Sequence, residues 1–386
     1  MELALSSLYK DAITLLHQLV TPHGFLASTI EADNYKRIWA RDSVVCGLAG
    51  LWIDDTVLIK GLRDSLLTLA KYQNELGAIP SNVMPNSKDV SYGSLAGRID
   101  TNTWFILGSC LYYQKTQDEE TWKLLKPSIQ KSRAFLKATE FNNRGWIYTP
   151  LSGNWADEYP VHGYTLYDNV LRLWGEQLWG EITGETFSGF ENIKQKTKTN
   201  FWPSEENDRA LIYQQPAFEK ALQEKQNHFT AFILPGVYDN RFDAAGNALA
   251  ILFFGLSESQ KTSISTFVET LPKHLVPAFW PMITPESTDW NLLEGNYSFA
   301  FKNQPGDFHN GGVWPVWMGL FCYALSQNGL QDKAFKIINA FTDTTVKNPA
   351  WDFQEYINPK TLQLGGKTKM GYSASGIVFM KLAMEA

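Results

Sequence analysis

The chain contains 386 residues, of which 44% are hydrophobic and 19% charged, so a sizeable packed core is expected rather than disorder. Its formal net charge is -6 and no cluster of lysine or arginine stands out, which argues against a nucleic-acid partner. The three cysteines lie in apolar segments without the spacing of metal ligands, so we expect buried thiols rather than disulfides.

The first twenty residues predict an amphipathic helix rather than a signal peptide. Lys10 and Asp11 interrupt the apolar residues of this segment, and no basic stretch precedes them. No uninterrupted apolar run of about 18 residues follows elsewhere, so no membrane span is expected. These features predict a cytoplasmic protein that does not associate with membranes.

Apolar residues recur with the helical period through most of the long segments. Short strands are expected only in two loops, at 144–149 and 362–366. Twelve helices are predicted, covering residues 3–20, 42–54, 57–76, 100–115, 119–139, 164–182, 186–199, 245–256, 258–272, 312–327, 329–346 and 372–385.

The predicted helices pair into six successive hairpins, with no Pro- or Ser-rich linker between them. Every second helix is apolar nearly all round, as in 245–256, which is typical of a helix buried on all sides. The others carry Lys, Glu and Gln on one face and suit an outer layer. The prediction is an all-α fold, an (α/α)6 toroid that forms a single domain over residues 1–386; an open superhelical stack is the alternative.

Polar clusters stand immediately before every second helix. In a closed ring those loops all lie at one rim, so their side chains are expected to converge on one funnel. The clusters are Arg41-Asp42, Arg98–Thr101, Asn154–Glu158 with His162–Tyr164, Arg241–Asp243, Phe308–Gly312 and Trp351–Tyr356.

Each cluster also has a purely structural interpretation. An Asp at a helix start is commonly an N-cap, which would account for Asp42, Asp100 or Asp243, and a neighbouring Arg can form a surface ion pair. Capping does not explain why aromatic residues stand beside nearly every carboxylate, a combination that suits a pyranose site. These aromatic residues are Trp39, Trp104, Trp155, Tyr159, Tyr164, Trp351 and Tyr356.

Hydrolysis of a glycosidic bond needs a proton donor and a second carboxylate on the opposite face of the sugar. Asp157 lies between Trp155 and Tyr159 in sequence, and apolar walls of this kind would keep a carboxyl protonated near neutral pH. Its neighbour Glu158 competes for the role. Glu355 belongs to the sixth loop, opposite the third, so we expect Asp157 and Glu355 to flank the substrate.

Five motifs in order along the chain resemble the six-hairpin (α/α)6 glycosidases. The resemblance is closest to the neutral/alkaline invertases and to the bacterial amylo-α-1,6-glucosidase or glycogen-debranching-like proteins. The motifs are IWARD (38–42), ADEYPVHGYTLYDN (156–169), RFDAAGNALAIL (241–252), FHNGGVWPVW (308–317) and EYINPKTLQLGGK (355–367).

The resemblance implies that Asp157 is the general acid and Glu355 the base or nucleophile. It also implies that Arg41 and Asp42 grip the non-reducing-end sugar, with His309 and Asn310 beside the same sugar. Two features depart from the invertases. Glu158 and Tyr159 replace the basic residues that follow the acid, and Thr165 replaces a proline. These departures bear on sucrose as the substrate more than on glycoside hydrolysis.

The sequence thus predicts an exo-acting, inverting hydrolase of an α-glucosidic bond in an oligosaccharide or small glycoside. No metal or other cofactor is expected, because neither a metal-binding motif nor a phosphate loop is present. The residues expected to bind substrate are Trp39, Arg41, Asp42, Asp100, Trp155, Glu158, His162, Tyr164, His309, Asn310, Trp351 and Tyr356.

Three alternatives remain open at this point. One is a sugar phosphorylase, with phosphate on the free N–H groups of Gly311-Gly312 at a helix start. The second is a sugar epimerase that uses His162 and His309 for proton transfer. The third is a sugar-binding protein without turnover. The sugar, the linkage and the oligomeric state are likewise open.

Overall fold

A computed structural model describes residues 2–30, 35–87 and 89–386. Within these ranges it contains all twelve predicted helices and two further short ones, α8 and α11. The helices are α1 Glu2–Leu19, α2 Ala40–Trp52, α3 Thr56–Lys71, α4 Asp100–Thr116, α5 Glu119–Ala138, α6 Leu166–Thr183, α7 Phe190–Phe201, α8 Gln215–Gln223, α9 Ala244–Phe254, α10 Glu258–Thr270, α11 Trp290–Glu294, α12 Pro315–Gln327, α13 Gln331–Val346 and α14 Gly371–Glu385.

The strands are only two or three residues long. The prediction of a strand at 144–149 is wrong, because only Thr149 forms a β-bridge in this segment, to Gly163. The one predicted at 362–366 is confirmed as β12. The strands are β1 Val20–Thr21, β2 Gly24–Phe25, β3 Ile38–Trp39, β4 Asn82–Val83, β5 Val90–Ser91, β6 Tyr164–Thr165, β7 Phe232–Leu234, β8 Val237–Asp239, β9 Phe242–Asp243, β10 Phe279–Trp280, β11 Tyr356–Ile357 and β12 Leu364–Gly365.

Six helices form a closed inner ring. Helices α2, α4, α6, α9, α12 and α14 each contact the next, and α14 returns to contact α2. The helices between them in sequence supply the outer layer, in which α1, α3, α5, α7 and α13 pack against the ring. The predicted all-α toroid is therefore confirmed, and the open superhelix is excluded. Among the described residues, no helix is both long and apolar enough to cross a membrane.

Burial follows the sequence pattern that separated the two layers. Every residue of α9 from Ala244 to Ile251 is buried, as expected for a helix with neighbours on all sides. Outer helix α5 instead buries one stripe, which includes Trp122, Leu125 and Ile129, and exposes its charged face. The hydrophobic core is consequently continuous around the ring.

Backbone pairing joins each rim loop to the next. Strand β3 before α2 pairs with β4, β6 before α6 pairs with β7, and β9 before α9 pairs with β10. The gaps between these sheets are closed by an Ile99 N–H to Gly153 O hydrogen bond of 2.7 Å and by bridges between Val313 and Ile357 and between Ser28 and Met370. The loops that carry the polar clusters are thus tied together around the whole rim.

Helices α12 and α14 approach more closely than side chains would allow. A Cβ atom at Gly319 would overlap the backbone of Gly376, and one at Gly376 would overlap the carbonyl oxygen of Pro315. Because backbone atoms cannot move aside as a side-chain tip can, both positions require glycine. This contact places the loop of His309 beside the loop of Glu355.

We predict that Gly376→Ala destabilises the protein. The added methyl group forces α12 and α14 apart, and overpacking of this kind costs roughly 1–3 kcal/mol. That cost exceeds the gain of about 1 kcal/mol or less in helix propensity. Denaturant unfolding gives the comparison. Gly97→Ala is the control, because nothing lies near its Cβ position; equal stability of the two variants would contradict the prediction.

Candidate active site

An aromatic cluster fills the centre of the ring beneath the rim. Trp104 of α4 stacks on Trp317 of α12 at 6.5 Å between ring centroids. Tyr167 of α6 and Tyr372 of α14 pack edge-on against Trp317 at 5.8 and 5.4 Å. All four side chains are buried. The ring interior is thus closed by an apolar floor, and the polar groups at the rim lie above it.

Arg41 lies directly on this floor and binds two carboxylates. Its Nη1 atom donates to Asp100 Oδ2 at 2.8 Å, its Nη2 atom is 3.8 Å from Asp42 Oδ2, and its guanidinium lies 5.7 Å from the Tyr372 ring centroid. Burial raises the pKa of Asp42, although the charge of Arg41 opposes that effect.

The capping interpretation fails for these two acids. Asp42 and Asp100 stand inside the first turns of α2 and α4, whose N-cap residues make no side-chain capping bond. The capping interpretation holds for Asp243, which accepts from the N–H of Ala245 at 3.0 Å.

Glu355 is buried at the mouth of the ring, just before the β11–β12 hairpin. Its Oε1 atom accepts from the Tyr35 hydroxyl at 2.6 Å, and its Oε2 atom accepts from the backbone N–H of Lys367 at 2.9 Å. Gly366 has a φ of 77°, and a Cβ atom there would overlap the carboxylate, so this glycine makes room for the acid. Burial raises the pKa of Glu355, while the two hydrogen bonds favour the charged form.

Tyr35 feels the charges of acids from three different loops. Its hydroxyl donates to Glu355, and the negative charges of Asp42 and Asp157 also act on it. Burial and these charges raise the pKa of Tyr35 far above its usual range, so the hydroxyl stays protonated and donates. Tyr35 is therefore coupled electrostatically to the first, third and sixth rim loops, and its hydrogen bond is to the sixth.

Asp157 is held by an ion pair with Arg98. The guanidinium of Arg98 binds Asp157 Oδ2 through Nη2 and the carbonyl oxygens of Ser152 and Asn154 through Nη1. Burial would raise the pKa of Asp157, but the positive charges of Arg98 and Arg41 oppose it and the pKa lies below its usual value. The raised pKa expected from aromatic neighbours is therefore wrong, because a fixed cation outweighs desolvation here.

The two aromatic neighbours of Asp157 pack into the wall below it. Trp155 is buried and stacks on Phe279 at 5.8 Å, with His309 edge-on at 5.1 Å. Tyr159 stacks on the other side of Phe279 at 4.2 Å and lies beneath Arg241. Both residues therefore contribute to the candidate site by packing in its wall.

His309 stands between aromatic rings at the same rim. Its ring lies 4.0 Å from that of Phe308 and 5.4 Å from that of Trp314, between centroids. Burial lowers the pKa of His309 to about 3, so the imidazole is neutral at ordinary pH. Among the described residues its Nδ1 atom has no hydrogen-bond partner. A neutral imidazole with a free nitrogen can bind a sugar hydroxyl.

Glu158 turns away from Asp157 toward a neighbouring loop. Its Oε1 atom accepts from the N–H of Ser298 at 3.1 Å, and its Oε2 atom is 3.8 Å from Lys302 Nζ. Burial raises the pKa of Glu158. The carboxylate is engaged with residues 298–302, so the two adjacent acids have different surroundings.

Three predicted binding residues have other surroundings. Asn310 spends its side chain on the backbone of Ile283, with bonds of 2.8 Å in both directions. Tyr164 belongs to an aromatic group with Trp146 and Tyr148 and accepts from an asparagine amide. His162 packs near Phe232 at 5.5 Å, where burial lowers its pKa. These side chains support the rim loops.

The remaining predicted residues are aromatic groups near the mouth. Trp39 is half-buried as the N-cap of α2, and Tyr356 is half-buried and stacks on Trp314 at 6.3 Å. Trp351 is half-buried and lies 5.5 Å from Phe341. Of these, Tyr356 follows Glu355 directly in sequence. It also stacks on Trp314, which stacks on His309.

Sequence reasoning missed several residues of the site. Tyr35 precedes the IWARD motif by several residues, and no local pattern marks it. Lys302 comes from a segment with no recognisable motif, yet its charge acts on Glu355 and His309. The sequence showed Arg98 only as a member of the polar cluster Arg98–Thr101. Considering every Arg in a rim loop as a partner for the candidate acids could have identified it.

The glycine pair before α12 does not offer free N–H groups. Gly311 donates to the carbonyl of His309 at 2.9 Å, and Gly312 donates to that of Phe308 at 3.1 Å. The helix itself begins only at Pro315, not at 312 as predicted, because residues 308–312 form a tight turn with Gly311 at a φ of 96°. The basis for a phosphate site at this helix start is thereby lost.

Comparison with known proteins agrees with this arrangement. A family model for alkaline and neutral invertases matches residues 191–385. The chain belongs to the alkaline and neutral invertase family. The matched half contains Glu355 and His309, whereas Arg41 and Asp157 precede it.

Individual relatives match over shorter stretches. The mitochondrial alkaline/neutral invertase C of Arabidopsis thaliana is 26% identical over 156 residues, which are 39% of this chain and 22% of that protein. The probable alkaline/neutral invertase D of the same plant is 28% identical over 164 residues, 41% of this chain and 30% of that protein. The alignments thus span less than a third of these relatives' own lengths.

Solved structures resemble the whole ring. The GH63 mannosylglycerate hydrolase of Thermus thermophilus has a TM-score of 0.59 at 15% identity, covering 97% of this chain and 100% of that chain. A rhamnosidase from Klebsiella oxytoca has a TM-score of 0.63 at 15% identity, covering 97% of this chain and 63% of that one. At this level of identity the likeness establishes the shared fold.

We predict that Arg98→Met destabilises the protein in a pH-dependent way. The lowered pKa of Asp157 means that its ionised form stabilises the folded state above the unfolded pKa and that this contribution is lost as pH falls through the folded pKa. Without Arg98, burial is less well opposed and raises the pKa of Asp157 above its value in the intact protein. The loss of unfolding free energy should therefore be largest at neutral pH and shrink as the pH falls through the folded pKa of Asp157.

The double variant Arg98→Met/Asp157→Asn is the control for this effect. It lacks Asp157 as a titrating group, so its difference from Asp157→Asn reports the bonds from Arg98 to Ser152 and Asn154 and the effect of Arg98 on Glu158. That difference should change with pH less than the loss in Arg98→Met does. A loss in Arg98→Met that is equal at neutral and acidic pH would show that the ion pair does not set the charge of Asp157.

Proposed function

We propose that this protein is a glycoside hydrolase with Asp157 and Glu355 as its catalytic carboxylates. The observation that carries the proposal is that Glu355 and Asp157, from opposite rim loops, both act on Tyr35 above the buried aromatic cluster, Glu355 by a hydrogen bond of 2.6 Å and Asp157 through its charge. Glycosidic cleavage requires two carboxylates on opposite sides of the sugar. Membership of the invertase family supports the same reaction class.

The division of roles follows the family resemblance, with Asp157 as the acid and Glu355 as the base. Arg98 keeps Asp157 ionised in the protein alone, so the acid must gain its proton when substrate binds. A neutral sugar removes water from Asp157, whose side chain is 29% exposed, and desolvation favours the protonated carboxyl.

The inner end of the site suits the terminal residue of a sugar chain. Arg41 with Asp42 and Asp100 offers charge-assisted hydrogen bonds to adjacent hydroxyls. Trp104 and Trp317 are buried and stack on each other beneath these groups, so the terminal sugar is expected to lie above them. We therefore propose exo-acting cleavage of an α-glucosidic bond, with water attacking from the side of Glu355 and the anomeric configuration inverted.

A panel of α-glucosides and sucrose, incubated with the protein with and without phosphate, tests this function. Free sugar released at the same rate in both conditions supports hydrolysis. The relatives are named invertases, so sucrose belongs in the panel, and α-1,6-linked glucosides test the second resemblance. NMR of the first-formed sugar reports the stereochemistry. Retention of configuration, or no release from any glycoside, would contradict the proposal.

We predict different rescue of the two catalytic variants. Asp157→Asn and Glu355→Gln keep side-chain shape, and each should lower kcat on a glycoside by about 10²–10⁴ or more. A glycosyl fluoride needs no leaving-group protonation, so it should partly restore Asp157→Asn but not Glu355→Gln. Steady-state kinetics on both substrates give the comparison. The opposite pattern of rescue would exchange the two roles.

We also predict that Tyr35→Phe moves the acid limb of the pH profile of kcat/KM to higher pH. The Tyr35 hydroxyl stabilises ionised Glu355, and its removal leaves burial to raise the pKa of this base further. Tyr113→Phe is a matched control, since Tyr113 also donates to a glutamate, Glu119, at 2.5 Å but far along α4 from the rim. An unmoved acid limb in Tyr35→Phe would separate Tyr35 from the base.

A further inference from the structure

Residues 296–303, here called the arch, span two of the catalytic loops. At one end Asn296 Oδ1 accepts from Ser152 Oγ at 2.8 Å, on the loop that carries Asp157. At the other end Asn303 Oδ1 accepts from the N–H of His309 at 3.0 Å. Asn303 also donates to the carbonyl of Glu158 at 2.7 Å. Both ends of the arch are therefore fixed to the rim.

The arch lies beside the reacting groups. Lys302 within it places its ammonium 4.8 Å from the Phe308 ring centroid, and its charge acts on Glu355 and His309. The N–H of Ser298 is bound by Glu158, the residue next to Asp157. The arch thus lies against the loops that carry Asp157 and His309.

Exposed apolar side chains are concentrated on the arch. Phe299 is 92% exposed and Tyr297 is 42% exposed, while Phe301 packs on Trp290 at 5.8 Å. The Oγ atoms of Ser298 and Ser94 lie 3.2 Å apart, which places Leu95, 44% exposed, next to the same surface. Phe299 gains little from packing within the protein, and its place on the arch is beside the loops that carry Asp157 and His309.

We propose that Phe299 is a specificity-determining residue that stacks on the leaving-group sugar of the substrate. This inference rests on the proposed function. The inner, terminal sugar is held by polar groups over a closed floor, so a second sugar has to lie outward, where the arch stands. An exposed aromatic ring there offers an apolar face to the C–H face of a pyranose. The substrate class is therefore a glycoside whose leaving group is itself a sugar ring.

The test compares a disaccharide with a glycosyl fluoride of the same terminal sugar. Phe299→Ala should raise KM for the disaccharide about threefold to tenfold, the range expected for one lost stacking contact. It should leave kcat/KM for the fluoride unchanged, because the fluoride has no second sugar. Phe299→Trp keeps a ring and should restore the disaccharide KM. Phe141→Ala removes an aromatic side chain that is 79% exposed in another part of the chain. It should change KM and kcat/KM for neither substrate.

Binding without turnover gives an independent measurement. Titration calorimetry of the disaccharide into Glu355→Gln, with and without Phe299→Ala, should give the same threefold to tenfold difference in Kd. Equal constants, or equal losses on disaccharide and fluoride, would overturn the role of Phe299. If wild-type protein cleaves neither substrate, the proposed function fails, and the calorimetric comparison still decides whether Phe299 binds a second sugar.

Discussion

Closure of the helical ring is the constraint on which the site depends. The inner helices pack side by side, and at the rim the loops that precede them are joined by backbone hydrogen bonds from one loop to the next. Each loop alone is a short irregular segment whose polar backbone groups need partners. Because the loops serve as hydrogen-bond partners for one another, they form a continuous ring of rigidly connected segments. Side chains far apart in sequence thereby acquire fixed positions over a common floor.

This rigidity explains how charged groups persist in a largely buried site. An isolated buried carboxylate would be protonated, because removal from water penalises the charged form. Here Arg98 compensates Asp157, Arg41 compensates Asp100, and Tyr35 with the Lys367 N–H binds Glu355. Asp157 and Asp100 are each paired with a cation, whereas Glu355 is bound by neutral donors. The two candidate catalytic acids consequently have pKa values displaced in opposite directions.

The site is divided between the two halves of the chain. The half matched by the invertase family supplies Glu355 and His309, and the preceding half supplies Tyr35, Arg41, Arg98 and Asp157. Neither half could form the site alone, since the contacts of α14 with α2 and of Ser28 with Met370 bring the ends together. The ring geometry therefore brings residues from inside and outside the family match into one candidate site.

The sequence by itself determined the helical layers and the region of the site. Apolar periodicity is a local property, so it revealed all twelve long helices and separated the inner ones, which are buried on all faces, from the outer ones. Short helix α11 escaped because its five residues are too few to display a period. Motifs with fixed spacing, such as the one around His309, could likewise be recognised without a structure.

Only the tertiary structure decided what each polar residue does. Asp42, Asp100 and Asp243 look alike in sequence, yet only Asp243 caps its helix, and the other two lie around Arg41. Arg98 reversed the pKa shift expected for Asp157, and Tyr35 joined the site with no motif to announce it. Electrostatic interactions depend on distances across the folded ring, and sequence spacing does not contain those distances.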